Sequence, residues 1–141
     1  MNNYKPEGIP TIVPYLYVKG IPEFLEFAQK GLGAEIVAKT ADDNGVVFYA
    51  TLKFDESAIF AQEAEETANT IPAALYFYVE DLEYAFNRAL GAGAVSLAEP
   101  SEHYHGDRNA AVLDRWGNQW WLATSIEILT DEQVAQRRKR E

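Results

Sequence analysis

The tetrapeptide Tyr15-Leu16-Tyr17-Val18 returns 61 positions later as Tyr76-Phe77-Tyr78-Val79, and each copy leads into a helical stretch that closes on Gly-Ala. The register holds through Ala28 and Ala89, then slips by one so that Gly33-Ala34 answers Gly93-Ala94. A period this long is outside the range of about 20 to 50 residues that builds solenoids. Two copies of one supersecondary unit, fused in tandem, are therefore expected.

Each half reads as strand, helix and three strands. Thr11–Val18 alternates and is rich in β-formers; Pro22 suits a first helical turn; and Phe24, Leu25, Phe27, Ala28 and Leu32 share one helical face. Gly31 and Gly33 end that helix, and strands are expected at 34–39, 46–53 and 58–62, the first two joined by Asp42-Asp43-Asn44-Gly45. The second half repeats the plan with a strand over 74–79, Asp81 as N-cap, a helix burying Ala85, Phe86, Ala89 and Leu90, and strands over 94–98, 110–113 and 119–123. The expected organisation is a single domain over 1–141, made of a module over 11–62, an acidic Pro-terminated linker over 63–73 and a module over 74–125. A short helix over 130–140 follows, opened by the capping box Thr130-Asp131-Glu132-Gln133.

Charge narrows the partners. Four of the 12 basic residues sit in Arg137-Arg138-Lys139-Arg140, which leaves 8 basic against 21 acidic residues in positions 1–136, a charge of −13. Such a body repels phosphate backbones, so no nucleic-acid partner is expected. The four cations read instead as the last turn of a solvated helix, opposing its negative dipole end. With no cysteine there is neither disulfide framework nor thiolate metal site. Without a run of about 18 apolar residues or an apolar leader, no membrane partner is expected and the location reads as cytoplasmic.

The twofold βαβββ plan resembles the vicinal-oxygen-chelate superfamily of glyoxalases, bleomycin-resistance proteins and dioxygenases over nearly the whole chain. Tyr78-Val79-Glu80-Asp81-Leu82 resembles the family's approach to its helix. Tyr104-His105-Gly106-Asp107-Arg108, followed by Asp114-Arg115-Trp116-Gly117-Asn118-Gln119-Trp120, is similar to the Y-x-G-D-R and D-P-x-G-x-x-W signature of one bacterial subgroup, with Arg115 at the proline. The resemblance implies an α+β fold in which two βαβββ modules form an incompletely closed eight-stranded barrel around a ligand cavity, and it implies a homodimer.

In the metal-dependent members, His, Gln or Glu ligands come from the first and last strands of each module. Mapped here, these positions fall on Val13, Ala74 and Trp121, with the fourth on Phe60 or Ala61 depending on where the slip is placed. None offers a donor to a divalent ion, so neither a metal nor another cofactor is expected. Gln62, one step away, is a lone amide. His103 and His105, the only histidines, lie two apart in a loop and would need further ligands to hold a metal, or access to the cavity to act as bases.

The aromatic residues point to binding. Alternation sets Tyr15 and Tyr17 on the side of Val13, and Tyr76 and Tyr78 on the side of Ala74. If those sides face inward, four tyrosines and Trp121 line one cavity; the other reading is a filled core. The expected ligand-binding set is Tyr15, Tyr17, Gln62, Tyr76, Tyr78, Trp121 and, for an anionic group, Arg108. Three functions stay open. One is a metal-free protein that sequesters a small aromatic or cationic ligand, as bleomycin-resistance proteins do. The second is a divergent lyase, isomerase or dioxygenase, either recruiting a metal through Gln62, Glu63 and the loop histidines or working by acid-base chemistry without one. The third is a structural or regulatory dimer with a filled cavity.

Overall fold

The computed structural model describes residues 4–66 and 70–140. The chain divides into two compact units, Met1–Pro72 and Ala73–Glu141. In the first, β1 (Tyr15–Val18) leads into α1 (Ile21–Leu32), then β2 (Glu35–Ala41), β3 (Val47–Phe54) and β4 (Ser57–Glu63). These strands form one sheet in the order β1-β4-β3-β2, with β1 parallel to β4 and the other pairs antiparallel. The second unit copies it with β5 (Ala74–Tyr78), α2 (Leu82–Gly91), β6 (Val95–Glu102), β7 (Asp107–Leu113) and β8 (Gln119–Ser125), ordered β5-β8-β7-β6. A short helix α3 (Asp131–Arg138) follows, so the architecture is α+β, two βαβββ modules plus a C-terminal helix.

Each sheet has one face under its helix. In unit one, Leu16, Val18, Ala50, Leu52, Ile59 and Ala61 are buried on the α1 side, together with Ile21, Phe24, Phe27, Ala28 and Leu32 of α1 itself. In unit two, Trp120, Leu122, Val112 and Ala110 are buried with Leu82, Ala85, Phe86 and Ala89 of α2. Burial of these apolar side chains is the main favourable term in each unit, roughly 1.5–3 kcal/mol for each large one.

Local signals behave as the sequence predicts. Pro22 lies in the first turn of α1, Asp81 accepts from Tyr84 N at 3.1 Å as N-cap of α2, and the Thr130 capping box closes in both directions. Asp42 Oδ1 accepts from Asn44 N and Val46 N, closing the expected β2–β3 turn.

Three strand limits differ from expectation by three residues or more. β1 begins at Tyr15 rather than Thr11, because Pro14 has no N–H for a ladder and pairs only through its carbonyl, which accepts from Phe60 N at 3.0 Å. β6 extends to Glu102, carrying Pro100 at an irregularity between Ala98 and Ser101. β7 begins at Asp107, not Ala110. The run from His103 to Gly106 is a tight turn, closed by His103 N donating to Asp107 O at 2.8 Å and by Gly106 at φ 99°.

Candidate functional site

Strand alternation leaves the second face of each sheet without a helix, and the tyrosines of the repeat stand there. Tyr15 and Tyr17 are 46% and 51% exposed, Tyr76 and Tyr78 47% and 62%. Leu16 and Val18 between and beside the first pair are fully buried under α1, so the repeat Tyr-x-Tyr-Val has one side for the core and one for solvent.

Within unit one, β1 and β4 run in parallel with Tyr15 beside Phe60 and Tyr17 beside Gln62, and β3 adds Tyr49 beside Gln62. The ring centroids of Tyr15 lie 5.1 Å from Tyr17, 6.2 Å from Tyr49 and 6.0 Å from Phe60. Tyr15 Oη donates to Gln62 Oε1 at 3.3 Å. Partial desolvation, then the neighbouring Tyr17 and Tyr49 hydroxyls, raise the Tyr15 pKa. Beside these rings the end of β4 and the chain that follows open a cleft of about 290 Å³, walled by Tyr15, Tyr17, Gln62, Glu63, Glu65 and Glu66. Glu63 is already engaged there: its carboxylate accepts from Gly20 N at 3.0 and 3.1 Å and from Ile21 N at 2.9 Å, capping α1 from 43 residues away.

Within unit two, Tyr76 pairs with Trp121 and Tyr78 with Ala123 across β5 and β8. Both phenols donate to one oxygen, Asp107 Oδ2, at 2.7 and 2.9 Å, while Asp107 itself is only 7% exposed. Because the Tyr76 proton goes to Asp107, its oxygen accepts from Asn109 Nδ2 at 3.2 Å, and Asn109 Oδ1 is left buried without a hydrogen-bond partner among the described residues. His105 Nδ1 lies 3.8 Å from Asp107 Oδ2, and its ring stacks on His103 at 5.5 Å. The Tyr76 and Tyr78 rings meet edge to face at 5.4 Å, so Asp107 holds two aromatic rings by their hydroxyls.

Burial, and then the hydrogen bond and charge of Asp107, push the Tyr76 pKa up from 10.0 to about 12; Asp107 raises Tyr78 as well. Below pH 10 folded and unfolded chains both keep the Tyr76 proton. Above it the unfolded chain ionises first, so this contribution to stability is lost as pH rises from 10 through about 12. Replacing Asp107 with Asn is expected to lower the phenol midpoints of Tyr78 and, in part, Tyr76, read by ultraviolet titration of phenolate against wild type. Unchanged midpoints would show that Asp107 does not hold the pair.

Arg108 alternates to the opposite side of β7 from Asp107 and Asn109, where its Nη1 donates to both carboxylate oxygens of Glu83 on α2. Tyr84 is exposed on α2, under the Arg88 guanidinium at 5.3 Å. Sequence reasoning did not find Tyr49, the capping role of Glu63, or Asp107 and Asn109 as the partners of the tyrosines. The spacing of Asp107 and Asn109, two apart as on one face of a strand, was the available signal.

The register also fixes the fourth of the positions at which the resemblance puts metal ligands. Phe60 stands beside Tyr15 as Trp121 stands beside Tyr76, each pair 61 residues from the other, while Ala61 is buried on the α1 side. The set is therefore Val13, Phe60, Ala74 and Trp121. It carries no imidazole or carboxylate, and a divalent metal does not fit it. Among the described residues, no group of three or more His, Cys, Asp or Glu is placed to hold a metal ion.

Comparison with known proteins adds lineage. The chain is 23% identical over 135 residues to an uncharacterised protein of Mycobacterium bovis, covering 87% of this chain and 89% of that one. TioX from Micromonospora sp. ML1 has the same fold with a TM-score of 0.72 at 16% identity, over 82% of this chain and 98% of TioX. FosX from Listeria monocytogenes, a genomically encoded fosfomycin resistance protein complexed with Mn(II) and sulfate, matches at 0.67 and 14% identity over 92% and 97%. At these identities the likeness to solved structures shows fold alone. The family model of the Glyoxalase/Bleomycin resistance protein/Dioxygenase superfamily matches residues 8–122, and the chain belongs to that superfamily.

Proposed function

We propose that this chain is a small-molecule binder of the superfamily, taking a flat aromatic or cationic organic ligand on its tyrosine faces without a metal, as a cytoplasmic homodimer of the bleomycin-resistance kind. The observation that carries the reading is the exposure of Tyr15, Tyr17, Tyr76 and Tyr78 on sheet faces without a helix, where the metal-ligand positions are apolar. Rings held open to solvent supply contact area for a planar ligand, with Gln62 and Trp121 as their cross-strand neighbours. Arg108 stays out of the proposal, since its guanidinium is committed to Glu83.

Thermal melts against a panel of planar organic compounds test it. A true ligand at one hundred times its Kd adds about 2.7 kcal/mol, a rise in Tm on the order of 10 °C. The same melts with nickel, zinc, manganese and ferrous iron are expected to stay flat, because no donor set among the described residues fits them. A stoichiometric metal with a large shift would sink the reading and favour a metalloenzyme.

A further inference from the structure

The two tyrosine faces are chemically unequal. On the tyrosine face of unit two the buried Asp107 carboxylate is already bonded by two phenols and has His105 beside it. In unit one the cleft beside Tyr15 and Tyr17 is bounded on its other side by Glu63, Glu65 and Glu66. Glu63 is spent on the Gly20 and Ile21 amides, with Lys19 at 3.8 Å. Glu65 and Glu66 are exposed and have no ion-pair partner among the described residues. No lysine or arginine is among the described residues that line the cleft.

We infer that this cleft is the seat of an organic cation, an alkylated ammonium head group held between the Tyr15 and Tyr17 rings and the Glu65-Glu66 carboxylates. The inference rests on the small-molecule reading above and assigns a charge and a position to the ligand of the unit-one face, apart from the contact surface that Tyr76 offers in unit two. The negative quadrupole of a tyrosine face attracts a cation within about 6 Å of its centroid. Two rings inclined at 44° with centroids 5.1 Å apart form an angled wall that can seat a compact, roughly spherical head. The carboxylates add a long-range field of the same sign. An anion meets repulsion from all of these groups, and a neutral ligand gains contact area but none of the charge terms. A volume of about 290 Å³ lies at the lower end of small-ligand sites, enough for a head group with the rest of the molecule outside.

The test uses the full chain and three probes, followed by ligand-detected NMR. Choline carries the cationic head; 3,3-dimethylbutan-1-ol has the same shape with carbon in place of the charged nitrogen; indole is flat and neutral. Choline is expected to bind about five- to thirtyfold tighter than the alcohol, and to weaken with added salt. The exposed double substitution Glu65→Gln with Glu66→Gln is expected to remove most of that preference, and Tyr17→Leu to weaken choline at least as much.

Equal affinity for choline and the alcohol, or indole binding without choline binding, would overturn the cation seat while leaving the small-molecule reading intact. A choline preference that survives both sets of substitutions would overturn the position. Binding of none of the three probes, together with no response to the wider panel, would overturn both readings.

Discussion

Replacing Asp114 with Ala is expected to cost about 3–5 kcal/mol, the largest effect of any single change considered for this chain. Asp114 is 3% exposed, and four donors converge on its carboxylate. Oδ1 accepts from Trp116 N and Asn118 N, both at 2.9 Å, and Oδ2 accepts from Asn118 Nδ2 at 3.1 Å and Trp120 Nε1 at 2.9 Å. This closes the β7–β8 turn, whose tightest point is Gly117 at φ 90°. It also seats Trp120, one of the largest fully buried side chains. Asn118, held in this way, accepts from Ala73 N at 2.8 Å and so fixes the start of β5. An alanine would leave these donors buried without an acceptor, and a loss of this size approaches the whole stability of a small domain, about 5–15 kcal/mol. Asp114→Asn keeps one acceptor oxygen but turns an amide toward Asn118 and Trp120, so an intermediate loss is expected. Urea denaturation measures both; a loss below about 1 kcal/mol for the alanine variant would show that the carboxylate is not the anchor.

Glu63→Ala is expected to cost about 2–3 kcal/mol, combining a lost N-cap with a lost charge at a helix N-terminus. The N-cap position of α1 is Gly20, at φ 95°, with no side chain to accept from the first turn. Glu63, at the end of β4, supplies the acceptor instead, and Ile21, whose N–H it takes, is fully buried. The carboxylate therefore ties the helix to the strand whose preceding residue, Gln62, bonds Tyr15. Glu63→Gln retains one acceptor without charge and is expected to lose about half as much. The melting temperature reads the difference; an alanine variant as stable as wild type would mean that water caps α1 equally well.

What was legible in the sequence was what is local. The repeat placed β1 and β5, and Pro22, Asp81, the Asp42–Gly45 turn and the Thr130 box act on neighbours within four residues, so their chemistry is written in adjacent positions. The alternation of Tyr15 and Tyr17 against Leu16 and Val18 set the sides of the strand. The unread parts depend on distant pairing. Glu63 meets Gly20 across 43 residues, Asp107 meets Tyr76 across 31, and Tyr49 joins the aromatic cluster only through its pairing with Gln62. Asp107 lies on β7 three residues before the strand start expected at position 110, because the turn from His103 to Gly106 closes tightly through the His103 N–H and the Asp107 carbonyl. Pro14 shortened β1 by removing a donor that the alternation alone does not reveal.

The fold is kept, then, while the positions expected to carry metal donors hold Val13, Phe60, Ala74 and Trp121, and tyrosines stand beside them. The measurement that tests the resulting claim most directly is the ligand-induced thermal shift of Tyr76→Ala set beside that of Tyr84→Ala, with the tightest compound from the planar panel. Tyr76 presents its ring on the face without a helix, whereas Tyr84 lies exposed on α2. The account predicts about a three- to tenfold loss of affinity in Tyr76→Ala and wild-type affinity in Tyr84→Ala. Full affinity in Tyr76→Ala, or an equal loss in both, would contradict it.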